Sequence, residues 1–181
     1  APGEEANRIL AQIKADQVKV EYILLTHGHY DHTGAVYAVH EETGAPVYMN
    51  ALDAGTAVAF DSYSFVPPEG TIFYKEGDEV KVGNLTFRVM ETPGHTPGSV
   101  VLLCGEYLFC GDTLFAGSIG RTDLEGGSSA QMAESLRKLA KLPIPRETQV
   151  LPGHGEFSTF GDELDNNYFI RSAVRGNNDL F

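Results

Sequence analysis

The chain predicts a mixed α/β fold in which two sheets pack face to face with helices outside. Three observations predict it. Helical and strand patterns alternate at the start, a block of turn-punctuated strands fills the middle, and helix, strand and helix close the chain. No internal repeat and no long linker interrupts this order, so the 181 residues read as one domain, 1–181.

Each element has its own signal. Glu4 to Lys14 carries Ile9, Leu10 and Ile13 as a helical stripe behind acidic residues. Val20 to Thr26 reads as a buried strand. Thr33 to Glu42 reads as a helix stopped at Gly44 before Pro46, with a short strand at Val47 to Met49. Ala51 to Gly70 predicts a short helix and then a loop through Pro67 and Pro68. From Thr71 to about Phe109 the pattern alternates. Turns at Gly77-Asp78, Gly83-Asn84, Pro93-Gly94 and Gly105-Glu106 mark it as a run of antiparallel strands. Ser129 to Leu142 is an amphipathic helix closed by Pro143. Gln149 to Leu151 is a strand, and Phe160 to Ala173 the last helix.

Charge and composition disfavour some partners. A net charge of -12 disfavours nucleic acid, whose binding rests on lysine and arginine. No apolar run approaches the ~18–20 residues of a membrane-spanning helix, and the polar, acidic N-terminus does not resemble a signal peptide. Cys104 and Cys110 flank the Gly105-Glu106 turn, where Cys104 faces Tyr107 and Cys110 about Val101. The thiols are then out of disulfide reach, and reduced cysteines fit a cytoplasmic protein.

The chemistry is concentrated in histidine and aspartate. His27, His29, Asp31 and His32 fall in Thr26-His27-Gly28-His29-Tyr30-Asp31-His32, directly after the buried strand. Residues two apart in an extended loop project to one side, so His27 and His29 can grip one ion while Asp31 and His32 face a second. So dense a cluster is costly unless a cation or hydrogen bonds compensate, and imidazole with carboxylate is a zinc-type ligand set. His95, Asp112 and His154 share the setting: each follows a predicted strand in a loop stiffened by glycine or proline. His40 has no motif around it and is read as non-functional.

Thr-His-x-His-x-Asp-His, Thr-Pro-Gly-His-Thr-Pro-Gly-Ser, Gly-Asp-Thr-Leu-Phe and Pro-Gly-His-Gly, in this order, resemble the metallo-β-lactamase superfamily. The segment from Gly111 to Asp123 is similar to its short, single-domain glyoxalase II-like (hydroxyacylglutathione hydrolase-like) branch. The resemblance implies an αββα sandwich. It implies that His27, His29 and His95 hold one metal, that Asp31, His32 and His154 hold another, and that Asp112 bridges them. Two zinc ions are expected, with iron or manganese possible in one or both positions. Relatives usually begin with a strand pair that this sequence lacks, and classical glyoxalase II enzymes carry a further C-terminal helical region.

The expected activity is hydrolysis of a thioester such as S-lactoylglutathione by a metal-bridging hydroxide, with Asp31 and Asp112 as the catalytic carboxylates. Ser118 and Arg121 are expected substrate contacts. The competing reading pairs Arg121 with Asp123 or Glu125. The partner is a small thioester or ester, with no nucleic acid and no membrane, and the oligomeric state stays open. Alternatives are a mononuclear iron persulfide dioxygenase, whose relatives share a Gly-Arg-Thr-Asp segment, a lactone or ester hydrolase, and a non-catalytic metal-binding domain. Asp112 in place of the cysteine or serine of many zinc β-lactamases argues against antibiotic hydrolysis.

Overall fold

The computed structural model describes residues 2–55 and 65–176. The chain divides into two compact units, Ala1–Tyr74 and Lys75–Phe181.

In the first unit, α1 (Ala6–Asp16) precedes β1 (Ile23–Leu24), a single turn α2 (Tyr30–Thr33), α3 (Val36–Thr43), β2 (Val47–Met49), a short 3₁₀ turn (Ala51–Asp53) and β3 (Ile72–Phe73). The three strands form one parallel sheet in the order β1-β2-β3. Ile23, Leu25, Val36, Val39, Val47 and Met49 are its buried core, and Ile9, Leu10 and Ile13 of α1 pack against it. The helix expected over Thr33–Glu42 is α3, preceded by the separate turn α2 that ends at Thr33, and α3 stops where expected, at Gly44 with φ 68°. The expected strand at Val20–Thr26 contracts to two ladder residues. Its neighbours still pair, as Leu25 N donates to Tyr48 O at 2.9 Å. Of the short helix and loop expected over Ala51–Gly70, residues 56–64 lie outside the described residues.

One strand changes allegiance. The alternating run from Thr71 was expected to be antiparallel throughout, yet β3 joins β2 in parallel, with Tyr48 opposite Ile72. A period of two marks a strand but not its partner. Here the partner is fixed by Tyr74, whose N–H donates to Met49 O at 3.0 Å and whose hydroxyl donates to Leu25 O. Burial raises the Tyr74 hydroxyl pKa, with a smaller push from Asp53, so the phenol stays protonated and remains a donor.

The second unit holds β4 (Glu79–Val82), β5 (Leu85–Glu91), β6 (Val100–Cys104), β7 (Tyr107–Gly111), α4 (Ser129–Lys141), β8 (Gln149–Pro152), β9 (Ser158–Thr159), α5 (Phe160–Asn166) and α6 (Tyr168–Val174). The sheet order is β4 to β9 in sequence. It is antiparallel except where β8 lies parallel to β7 after the α4 crossover. Cys104 pairs with Tyr107 as expected, and both cysteines are free and buried.

Helix α4 begins at Ser128, whose hydroxyl accepts the N–H of Gln131 at 3.3 Å. It buries Met132, Ala133, Leu136 and Leu139 against Met90, Val101, Leu108 and Val150 of the sheet. Each large aliphatic side chain so buried contributes roughly 1.5–3 kcal/mol. The final helix was expected to run unbroken from Phe160 to Ala173. It breaks at Asn167, whose side-chain oxygen accepts from Phe169 N and Ile170 N and starts a new helix.

Candidate metal centre

Strand direction brings the donors of the second unit together. β5, β7 and β8 run the same way, so their C-terminal ends emerge at one edge of the sheet. His95 follows β5, Asp112 follows β7 and His154 follows β8. A buried hydrogen bond between the hydroxyls of Thr92 and Thr113, 2.8 Å long, ties the first two loops together. Gly153 N donates to Gly111 O at 2.8 Å and ties the last two.

The resulting geometry suits a cation. One Asp112 oxygen, Oδ2, lies 3.5 Å from His95 Nε2 and 3.5 Å from His154 Nε2. Neighbouring ligand atoms around a tetrahedral zinc with bonds of ~2.0–2.2 Å stand ~3.3–3.6 Å apart, so both gaps have ligand-to-ligand dimensions. The carboxylate is 8% exposed and His95 3%, so water does little to stabilise charge there. His95 Nδ1 lies 2.7 Å from Arg121 O. A carbonyl can only accept, so the ring places its proton on Nδ1 and turns the Nε2 lone pair toward Asp112. This arrangement orients metal-ligating histidines generally.

The His95 loop is braced from α4. Ser135 Oγ donates to Pro93 O at 2.7 Å, and Ser128 N donates to Gly94 O at 2.8 Å. Gly94 has φ 146°, and a Cβ there would sit 2.5 Å from Met132 Cα. Only glycine lets the loop lie so close to the helix. The same holds behind Asp112, where a Cβ on Gly120 would fall 1.9 Å from the Asp112 carbonyl oxygen.

The first unit supplies a second donor group. The His27 ring centre is 4.9 Å from that of His29 and 4.1 Å from that of His32, and all three side chains are buried. His32 Nε2 lies 3.6 Å from Asp31 Oδ2, and Asp31 is about half exposed. The segment follows β1 and is held in place by Asp53, whose Oδ2 accepts from Gly28 N at 2.9 Å. Thr33 Oγ1 donates to His29 O at 3.0 Å.

The remaining predicted residues fall as follows. His40 Nδ1 lies 2.8 Å from Ala45 O at the end of α3. Arg121 forks onto Asp123 at 2.8 and 2.9 Å, the ion pair that competed with a substrate role. That fork, with a backbone hydrogen bond, holds the Asp123 carboxyl down to about 2. Ser118 closes a tight loop with Phe115, each N–H donating to the other's carbonyl. Burial pushes the Cys110 thiol up, so it is no nucleophile at neutral pH.

Several supporting residues carried no motif in the sequence. Asn167 is fully buried and its Nδ2 reaches Ser118 O at 3.0 Å, Phe115 O at 3.3 Å and Glu163 Oε2 at 2.8 Å. Glu163 Oε2 in turn accepts from Gly117 N at 2.9 Å. The pair clamps the loop after Asp112, whose Phe115 ring meets the His154 ring edge-on at 6.2 Å. Asn167 before Tyr-Phe-Ile is a readable helix N-cap signal. Asp53, Tyr74 and Glu163 had no sequence signal, because their partners lie 25 or more residues away.

The model of the metallo-beta-lactamase superfamily matches residues 1–154. The hydroxyacylglutathione hydrolase GloC of Haemophilus influenzae is 32% identical, over 94% of this chain and 85% of its own. The crystal structure of BLEG-1, a B3 metallo-beta-lactamase, superposes with TM-score 0.82 at 35% identity, covering 93% of this chain and 86% of that one. TTHA1623 in a di-iron-bound form gives 0.78 at 37% identity with the same coverage.

Proposed function

The chain belongs to the metallo-β-lactamase superfamily, and from that premise we propose that it is a binuclear hydrolase of small thioesters of the S-lactoylglutathione class. The observation that carries the reading is Asp112, whose one oxygen faces two imidazole nitrogens at 3.5 Å, as a bridging carboxylate would.

By the superfamily's scheme, His27, His29, Asp31, His32, His95, Asp112 and His154 would hold two metal ions. Two zinc ions bound there would supply Lewis acidity toward an acyl carbonyl and an activated water. The chain's own residues do the positioning. Arg121 O fixes the His95 tautomer, α4 fixes the His95 loop, and Asp53 fixes the loop that carries His27 and His29. Ser118 and Arg121 stand in the loop beyond Asp112 and are the proposed contacts to the acyl substrate. Arg121 exchanges Asp123 for a substrate carboxylate. Neither buried cysteine takes part.

The test is elemental analysis of the protein purified without added metal, with S-lactoylglutathione hydrolysis assayed on the same sample. About two zinc ions per chain with thioester cleavage supports the reading, and Asp112→Ala then lowers both. Full activity with one ion fewer in that variant overturns the binuclear form. The di-iron form of TTHA1623 makes iron the specific alternative metal. About one iron per chain with oxygen uptake on glutathione persulfide, and no thioester cleavage, would replace the hydrolase with a dioxygenase. Nitrocefin belongs in the same panel because of BLEG-1. Its turnover in place of the thioester would move the substrate class to β-lactams.

A further inference from the structure

We propose that the cavity lined by α4, α5 and α6 binds a small amphiphilic anion, a carboxylate or phosphate head on a short apolar body. The cavity is about 330 Å³ and lies wholly within the second unit. That is the low end of ligand-sized pockets, which suits a small molecule better than a protein segment.

Its lining joins two chemistries. Arg137 and Lys141, one turn apart on α4, face Arg171 and Arg175, one turn apart at the end of α6. Ala140, Leu164 and Ile170 provide an apolar floor. Among the described residues, no acidic side chain lines the cavity. The chain has only 13 lysines and arginines against 25 acids, so four basic residues around one opening run against its overall charge.

Outside the cavity the cations are matched only in part, since among the described residues no ion pair reaches Lys14, Lys75, Lys81 or Arg88. Arg8, Lys19, Arg121, Lys138 and Arg146 each hold a carboxylate within 2.9 Å. Among the described residues, no ion pair reaches Lys141, Arg171 or Arg175. Arg137 is drawn across the helix pair by a 3.2 Å bond from Nη1 to Ala173 O, which sets its guanidinium beside the opening.

A helix C-terminus attracts cations, and Lys141 and Arg171 lie in the last turns of α4 and α6. That attraction accounts for Lys141, Arg171 and the C-cap residue Arg175. It accounts neither for the apolar floor nor for Arg137 around the same opening. Like charges held together repel, and an anion seated between guanidinium forks removes that cost. The apolar floor, with Ile170 almost fully buried, then selects anions that bring hydrocarbon with them.

The probes are octanoate, octyl phosphate, octyltrimethylammonium and inorganic phosphate, titrated into the full, isotope-labelled chain and followed by amide NMR shifts. Octanoate or octyl phosphate is expected to shift Ala140, Leu164 and Ile170 saturably below about 1 mM. The tighter of the two identifies the head group as carboxylate or phosphate. The ammonium amphiphile and inorganic phosphate are each expected to bind at least about tenfold more weakly. Arg171→Gln with Arg175→Gln is expected to weaken the best probe about tenfold or more, the loss of a charge-assisted bond. Both arginines are exposed, so the thermal midpoint stays unchanged. No saturable shift, equal binding of the ammonium probe, equal binding of inorganic phosphate, or an unaffected double variant would each overturn the proposal.

Discussion

Asn167 donates to Glu163 Oε2 at 2.8 Å, and through this bond two consecutive helices act as one clamp on the Phe115–Ser118 loop. Asn167→Ala removes a helix cap and leaves a buried carboxylate and two carbonyls without that donor. A loss of about 2–4 kcal/mol is expected in urea unfolding. Glu163→Gln keeps an oxygen for Gly117 N and for Asn167 and should cost clearly less. Equal losses in the two variants would mean that the clamp does not depend on this hydrogen-bond chain.

Gly120→Ala places a methyl group 1.9 Å from the Asp112 carbonyl oxygen, so the Asp112 loop has to move. Metal content per chain is expected to fall while the far-ultraviolet circular dichroism stays that of the parent. Undiminished metal content would show that the loop yields without disturbing Asp112.

Tyr74→Phe deletes a buried donor to Leu25 O, just ahead of the histidine cluster. The expected destabilisation is about 1–3 kcal/mol, the cost of leaving a buried carbonyl unsatisfied. Thermal or urea unfolding reads it directly.

The Arg121–Asp123 fork has a definite pH signature. The Asp123 carboxyl sits at about 2, below the ordinary aspartate value. A depressed carboxyl contributes its stabilisation fully above the unfolded-state value and loses it as pH falls through about 2. In Arg121→Ala the Asp123 midpoint, followed by carboxyl-carbon NMR, should rise toward about 3.9. An unchanged Michaelis constant in that variant would leave the ion pair as the whole role of Arg121.

Chelation is expected to lower the unfolding midpoint, because ions held by the native chain stabilise it by mass action. A free-metal concentration a thousandfold above the dissociation constant corresponds to about 4 kcal/mol. Calorimetry with and without a chelator checks this, and coincident curves would argue against a resident metal.

The sequence by itself determined the donor chemistry and most of the elements. His27, His29, Asp31 and His32 share one short segment, and the glycine- and proline-bounded loops around His95, Asp112 and His154 are local patterns. α4 and β5 to β8 were legible for the same reason, since periodicity and turn residues act over a few positions. Tertiary structure alone decided the pairings. β3 took β2 as its parallel neighbour, because a period of two does not name a partner. The last helix broke at Asn167, whose Oδ1 caps the next helix locally, while tertiary structure set its Nδ2 on two carbonyls of the Phe115–Ser118 loop some 50 residues away. Asp53 and Glu163 became supports of the loops that carry His27 and Asp112 for the same physical reason. A single hydrogen bond between distant residues leaves no periodic trace, and only the folded chain sets its two ends within 3 Å.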